Sequence, residues 1–229
     1  MAKKDVTPQD AAIGEAINKT ESFFEKNSKS VIWVLVVIIV IAAAIFGYRK
    51  LVAEPHVEKA ADMIAEAQYR FEQANPDYEL ALNGDENGAG FLDVIEKYGS
   101  TPSGNLAKHY AGVCYLHLGD LDAAAKYLAK YSPVKGLPGQ IVNAQNLGLQ
   151  GDIAVEQDKL DEAVKFYHKA VKASDNLYTA PLYLRKAGLA LQAQGKNDEA
   201  AALFEKILAL YPSSIEAREV EKLIGADNR

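Results

Sequence analysis

Hydropathy divides the chain into three stretches. Up to residue 30, charged and polar residues alternate with scattered apolar ones. From Val31 to Tyr48 the sequence VIWVLVVIIVIAAAIFGY carries no charge, and Leu51 and Val52 extend the apolar stretch past Arg49 and Lys50. A helix needs about 20 mostly apolar residues to cross a bilayer core of roughly 30 Å. Beyond it, apolar positions recur at helical spacing to the end, interrupted by Gly, Pro, Asn and Asp. The pattern predicts an all-α protein, with one transmembrane helix at 31–52 between a segment at 1–30 and a helical domain at 53–229.

The ends of the apolar stretch fit a membrane. Trp33 and Tyr48 fall where amphipathic rings settle at headgroup level. Lys26 and Lys29 before it, and Arg49 and Lys50 after it, can snorkel to opposite interfaces. A buried core helix would be shorter and broken by polar positions. Ala42-Ala43-Ala44 resembles a signal-peptide cleavage site, but the apolar run continues through Ile45 and Phe46 and starts about thirty residues in, both atypical of signals. Charge does not set the orientation: Lys19, Lys26 and Lys29 face Arg49, Lys50 and Lys59. Ahead of the span, Thr7, Pro8 and Asp10 make a helix start. Ile13, Ile17 and Phe24 then share a face, as in an interfacial or docking helix; a partly disordered tail is the other reading.

Three blocks of the third stretch superpose, GVCYLHLGDLDAAAKYLAKY (112–131), GDIAVEQDKLDEAVKFYHKA (151–170) and GLALQAQGKNDEAAALFEKI (188–207). Their leading glycines, Gly112, Gly151 and Gly188, stand 39 and 37 residues apart. Each block places Tyr115, Ala154 or Leu191 next, then a turn at Gly119, Asp158 or Gly195. An alanine follows at Ala124, Ala163 or Ala200, and a bulky residue at Leu128, Tyr167 or Phe204. Small residues let two antiparallel helices cross closely, and the bulky residue fills the space beside them. The pattern resembles the tetratricopeptide repeat, and the third copy closes with Pro212. Upstream, Val57–Asn75 and Phe91–Tyr98 read as helices of a degenerate copy separated by an insertion at 76–90. The tail, with Val220, Leu223 and Ile224, reads as a capping helix. The whole is an α-solenoid of about four helix pairs.

Composition removes other classes. Residues 51–229 carry 18 Lys and Arg against 26 Asp and Glu, a net of −8, and no basic face for nucleic acid. The single cysteine, Cys114, excludes an intrachain disulfide and a cysteine-based zinc site. Cys114 and His117, three apart, lack a third ligand. Asp85–Glu96 has Asp, Asn, Gly, Asp and Glu at loop positions 1, 3, 6, 9 and 12 of an EF-hand, but Ala89 stands at position 5. A Gly-rich turn leading into a surface helix is the plainer reading. No nucleophile elbow, phosphate loop or zincin motif is present, so neither an enzyme nor a cofactor is expected.

A repeat of this type offers a concave surface lined by the first helix of each pair. The usual groove positions fall on His109, Val113 and His117, then Gln145, Asp152 and Glu156, then Arg185, Leu189 and Gln192. That lining suits an extended or helical polypeptide. Taken with SFFEKNSKSVIW before the span, AIFGYRK at its exit and the alanine-rich helix that follows, the chain resembles the YfgM family of bacterial inner-membrane proteins. The resemblance covers roughly residues 20–215. It implies an ancillary subunit of the Sec translocon, with a cytoplasmic N-terminus and a periplasmic repeat domain. Its implied partners are SecYEG and a PpiD-like periplasmic chaperone. An envelope-assembly scaffold and a cytosol-facing targeting receptor are the alternatives.

Overall fold

The computed structural model describes residues 8–227, with side chains described from 26 to 223. The chain divides into two units, one ending at Pro55 and one beginning at His56.

The first unit is helix α1 (Pro8–Tyr48) followed by a π-helical turn at Arg49–Ala53. Proline suits the first helical position because its missing N–H would have no partner there. The expected short helix ahead of a separate span is instead one helix from Pro8 onward. Thr7, and the side chains of Ile13, Ile17 and Phe24, lie outside the described residues. No residue of the apolar stretch is buried, and Ile39 and Phe46 are 66% and 72% exposed. A core helix would hide these side chains. Among the described residues this is the one helix long and apolar enough to cross a membrane.

In the second unit, α2 (Glu54–Phe71) stops short of the expected Asn75. Pro76 disfavours helical geometry at Asn75, and the chain turns before it. The stretch 76–90, expected as an inserted loop, is ordered structure. Asp77 accepts from Leu80 N and starts α3 (Tyr78–Asn83), which buries Ala81 and Leu82. A two-residue hairpin follows, β1 (Gly84–Asp85) antiparallel to β2 (Gly88–Ala89). Gly84 is held at φ +71°, and a Cβ there would meet Gly90 N at 2.5 Å, so only glycine fits the corner. Then α4 (Phe91–Tyr98) buries Phe91 and Val94 against Ile64, Ala67, Ala107 and Ala111.

Three helix pairs complete the stack, α5 (Pro102–His117) with α6 (Leu121–Ala129), α7 (Leu137–Glu156) with α8 (Leu160–Ala173), and α9 (Thr179–Ala193) with α10 (Asn197–Leu210). Helix α11 (Ile215–Asp227) closes it, with Ala217 and Val220 buried against Leu184 and Ile207. Each pair crosses at its glycine. A Cβ on Gly112, Gly151 or Gly188 would lie 2.6, 2.6 or 2.4 Å from the side chain of Leu128, Tyr167 or Phe204. Ala124, Ala163 and Ala200 are fully buried at the same crossings. Tyr115 stacks on Tyr127 with ring centroids 5.2 Å apart, and Ala154 and Leu191 are buried.

Candidate functional site

The first helices of successive pairs run parallel, and cross-helix bonds record their register. Gln68 Nε2 donates to Tyr110 Oη at 3.2 Å, the Asn146 amide meets His109 Nδ1 at 3.3 Å, and Lys186 Nζ reaches both carboxylate oxygens of Asp152 at 2.8 Å. These helices can approach because α7 presents Gly148, where a Cβ would sit 2.1 Å from the Tyr183 ring.

Between them lies a pocket of about 350 Å³. Its walls are mainly Phe71, Leu106, Tyr110, Val113, Val142, Leu149 and Tyr183. Phe71 meets Tyr110 edge-on at 5.1 Å, and Phe91 stacks on Tyr110 from behind at 5.0 Å, which fixes the aromatic wall. The polar groups are His109, Gln145, Asp152 and Lys186. His109 is 6% exposed, and burial drops its pKa to about 4, so it is neutral at physiological pH. Asp152 also accepts from Tyr167 Oη at 2.7 Å. Burial and the Asp152 contact push the Tyr167 hydroxyl well above its ordinary range, and burial takes Tyr183 to about 12. Both remain neutral donors. A neutral, mostly apolar recess with one internally paired charge suits side-chain capture; it places no activated nucleophile beside a base.

The sequence positions divide around this pocket. His109, Val113, Gln145 and Asp152 line it together. His117 lies apart, stacked flat on Tyr78 of α3 at 4.0 Å. Arg185 Nε pairs with Glu219 of α11 at 3.0 Å, which ties the last pair to its cap. Glu156 and Leu189 are exposed and Gln192 half-buried, all outside the pocket lining. Phe71, Tyr110, Tyr183 and Lys186 were missed. Phe71 belongs to a helix outside the three blocks, and the other three precede Gly112 and Gly188, in the part of each first helix that the blocks leave out. Gly148, one turn before Gly151, was the available signal, since a second glycine inside a helix costs about 1 kcal/mol unless something must pass close by.

The calcium-like segment is engaged otherwise. Arg70 Nη2 donates to Asp85 Oδ1 at 2.7 Å, the Asn87 amide donates to the same carboxylate, and Asp93 caps α4 by accepting from Gly90 N. Cys114 is fully buried, and burial pushes its thiol to about 12. Among the described residues, no group of three or more His, Cys, Asp or Glu is placed to hold a metal ion.

Residues 91–135 and 149–215 match the tetratricopeptide repeat family model. The helix pairs are of tetratricopeptide-repeat type. The repeat chain is 30% identical over 113 residues to a TPR repeat-containing protein of Methanocaldococcus jannaschii. That match takes in 49% of the chain but only 18% of the relative's length. Two crystal structures of MamA are also similar. One, at 17% identity, covers 86% of this chain and 92% of MamA with a TM-score of 0.46; the other, at 20% identity, covers 53% and 69% with a TM-score of 0.41. Repeats of this kind serve protein–protein interaction.

Proposed function

We propose that the chain is a membrane-anchored, protein-binding scaffold, an ancillary subunit of the Sec translocon of YfgM type. Its repeat domain faces the periplasm, and its 31–52 helix holds the repeat groove at the exit of SecYEG. Tethering raises the groove's effective concentration near emerging chains or a PpiD-like partner chaperone, without a new contact. The observation that carries this reading is the aromatic-walled pocket of about 350 Å³ on a chain whose uncharged stretch at 31–48 has no buried residue. A recess of that size takes one large apolar side chain of an extended or helical segment. Tight, centrally buried anchors of this kind dominate the energy of protein interfaces.

Two experiments test the proposal. Protease added to spheroplasts should degrade the repeat domain; a domain left intact eliminates the periplasmic placement. Photo-crosslinkers at Tyr48 should give adducts with the channel, and crosslinkers at Gln145 adducts with secretory chains or the chaperone. Adducts restricted to other envelope-assembly proteins would count against the translocon role while leaving the scaffold role standing.

A further inference from the structure

The helical stack has two unlike ends. Neighbouring helices are antiparallel, so the turns inside pairs gather at one end and the connections between pairs at the other. The structure ties the second set together. Asn105, in the first turn of α5, exchanges hydrogen bonds with Ser132 of the α6–α7 connection at 2.7 and 2.8 Å. Tyr211, after α10, donates to Asp175 in the α8–α9 connection. The turns at the first end are made of Gly119-Asp120, Asp158-Lys159 and Gly195-Lys196, with Leu118 and Val155 the exposed large apolar residues beside them, at 47% and 38%.

The connections at the second end expose apolar side chains in every repeat. Leu137 is 78% exposed, Tyr178 84%, Ile215 63%, Leu210 57%, Leu177 54% and Val134 46%. Single exposed apolar residues are ordinary, but six of them gathered at one end, including the most exposed of the repeat domain, mark a contact surface. Exposed Lys130, Lys135 and Lys172 stand among them, as does exposed Asp175; the apolar and aromatic side chains, rather than net charge, make this end suited to the headgroup region.

The second end is also where the domain begins. The His56 ring lies 4.7 Å from that of Tyr98, beside the α4–α5 turn. Tyr48, at the end of the uncharged run, is only eight residues earlier in the chain. Eight residues span at most roughly 28 Å even when fully extended. If Tyr48 sits at headgroup level, the apolar end is the one held within reach of lipid.

From this we infer that the anchor-proximal end of the repeat stack rests on the bilayer surface. Leu137, Tyr178 and Ile215 enter the headgroup region. The inference rests on the reading that residues 31–52 span that bilayer.

The test uses the full-length chain in phosphatidylcholine–phosphatidylglycerol vesicles. An environment-sensitive fluorophore is attached to Leu137→Cys, Tyr178→Cys or Ile215→Cys, with Asn197→Cys as the control at the opposite end. Cys114 is buried and stays unlabelled in the folded protein. Labels at 137, 178 and 215 should shift to the blue and lose at least half their emission to lipids spin-labelled near the headgroup, while the label at 197 is unaffected. A chain that fails to float with the vesicles overturns the anchoring, and this inference with it. A chain that floats with labels at 178 and 197 equally unquenched overturns the membrane contact alone. Shielding of the same labels only in native membranes overturns it too, in favour of a protein cover.

Discussion

At position 158 the second repeat departs from its neighbours. Gly119 and Gly195 turn at φ +82° and +75°, and Asp158 must take the same left-handed geometry at +58°. A residue with a Cβ pays roughly 1–2 kcal/mol there, less for Asp because its carboxylate can bond locally. Asp158→Gly should therefore raise stability by about 0.5–1 kcal/mol, read as a higher urea midpoint at unchanged slope, whereas Asp158→Val should lower it. Another residue sets a pH response. His109 has its folded pKa lowered from 6.5 to about 4, so between these values the unfolded chain binds more protons. Stability is full above pH 6.5 and falls as pH drops toward 4, by up to about 3 kcal/mol from this group. His109→Leu should flatten that part of a stability–pH curve measured by chemical denaturation. His168, lowered by burial and Lys206, leaves a smaller residual slope in the same direction. Turn residues and glycine crossings were legible in the sequence because their spacing recurs. The His109–Asn146 contact was not, since its partners are 37 residues apart and Asn146, unlike the groove position His109, has no place in the repeat pattern.

At the scale of elements, the three repeated blocks were readable and the stretch before them was not. Helix α3 has six residues, too few for a helical period to show, and it exists because Asp77 caps it and Leu82 reaches the core shared with Phe91. The long α6–α7 connection is ordered by a device that the repeat pattern does not contain. That device is Asn143, which is 9% exposed. Its Oδ1 accepts from Tyr131 Oη at 2.9 Å and Val134 N at 3.0 Å, and its Nδ2 donates to Val134 O at 2.9 Å. One amide thus fixes the loop against the start of α7. Asn143→Ala leaves three groups without that partner, at about 0.5–1.5 kcal/mol for each bond lost. A loss of about 2–4 kcal/mol in urea denaturation is expected, with faster amide exchange centred on residues 131–136. Asn143→Asp should recover part of it, because the two bonds accepted by the oxygen survive.

For the molecule as a whole, the sequence predicted a stack of helix pairs, but not which surface residues converge. Convergence depends on the crossing angle that Gly148 and Tyr183 set between α7 and α9. The stack also implies how stability is distributed. Each pair buries its apolar face mainly against its neighbours, as in a one-dimensional array whose ends open first. At the C-terminal end, α11 covers Leu184 and Ile207 with Ala217 and Val220, and Glu219 holds Arg185. Ending the chain after Ser214 uncovers that face and releases the ion pair. The loss of burial at Val220 alone is worth about 1.5–3 kcal/mol. The loss should remain local, because the core around Phe91, Ala107 and Cys114 shares no residue with the one around Phe204 and Ile207. Amide exchange should quicken in α9 and α10 by one to two orders of magnitude, with α5 and α6 nearly unchanged. Equal acceleration in all three pairs would mean instead that the repeats unfold as a single cooperative block, and the nearest-neighbour account of the stack would have to be abandoned.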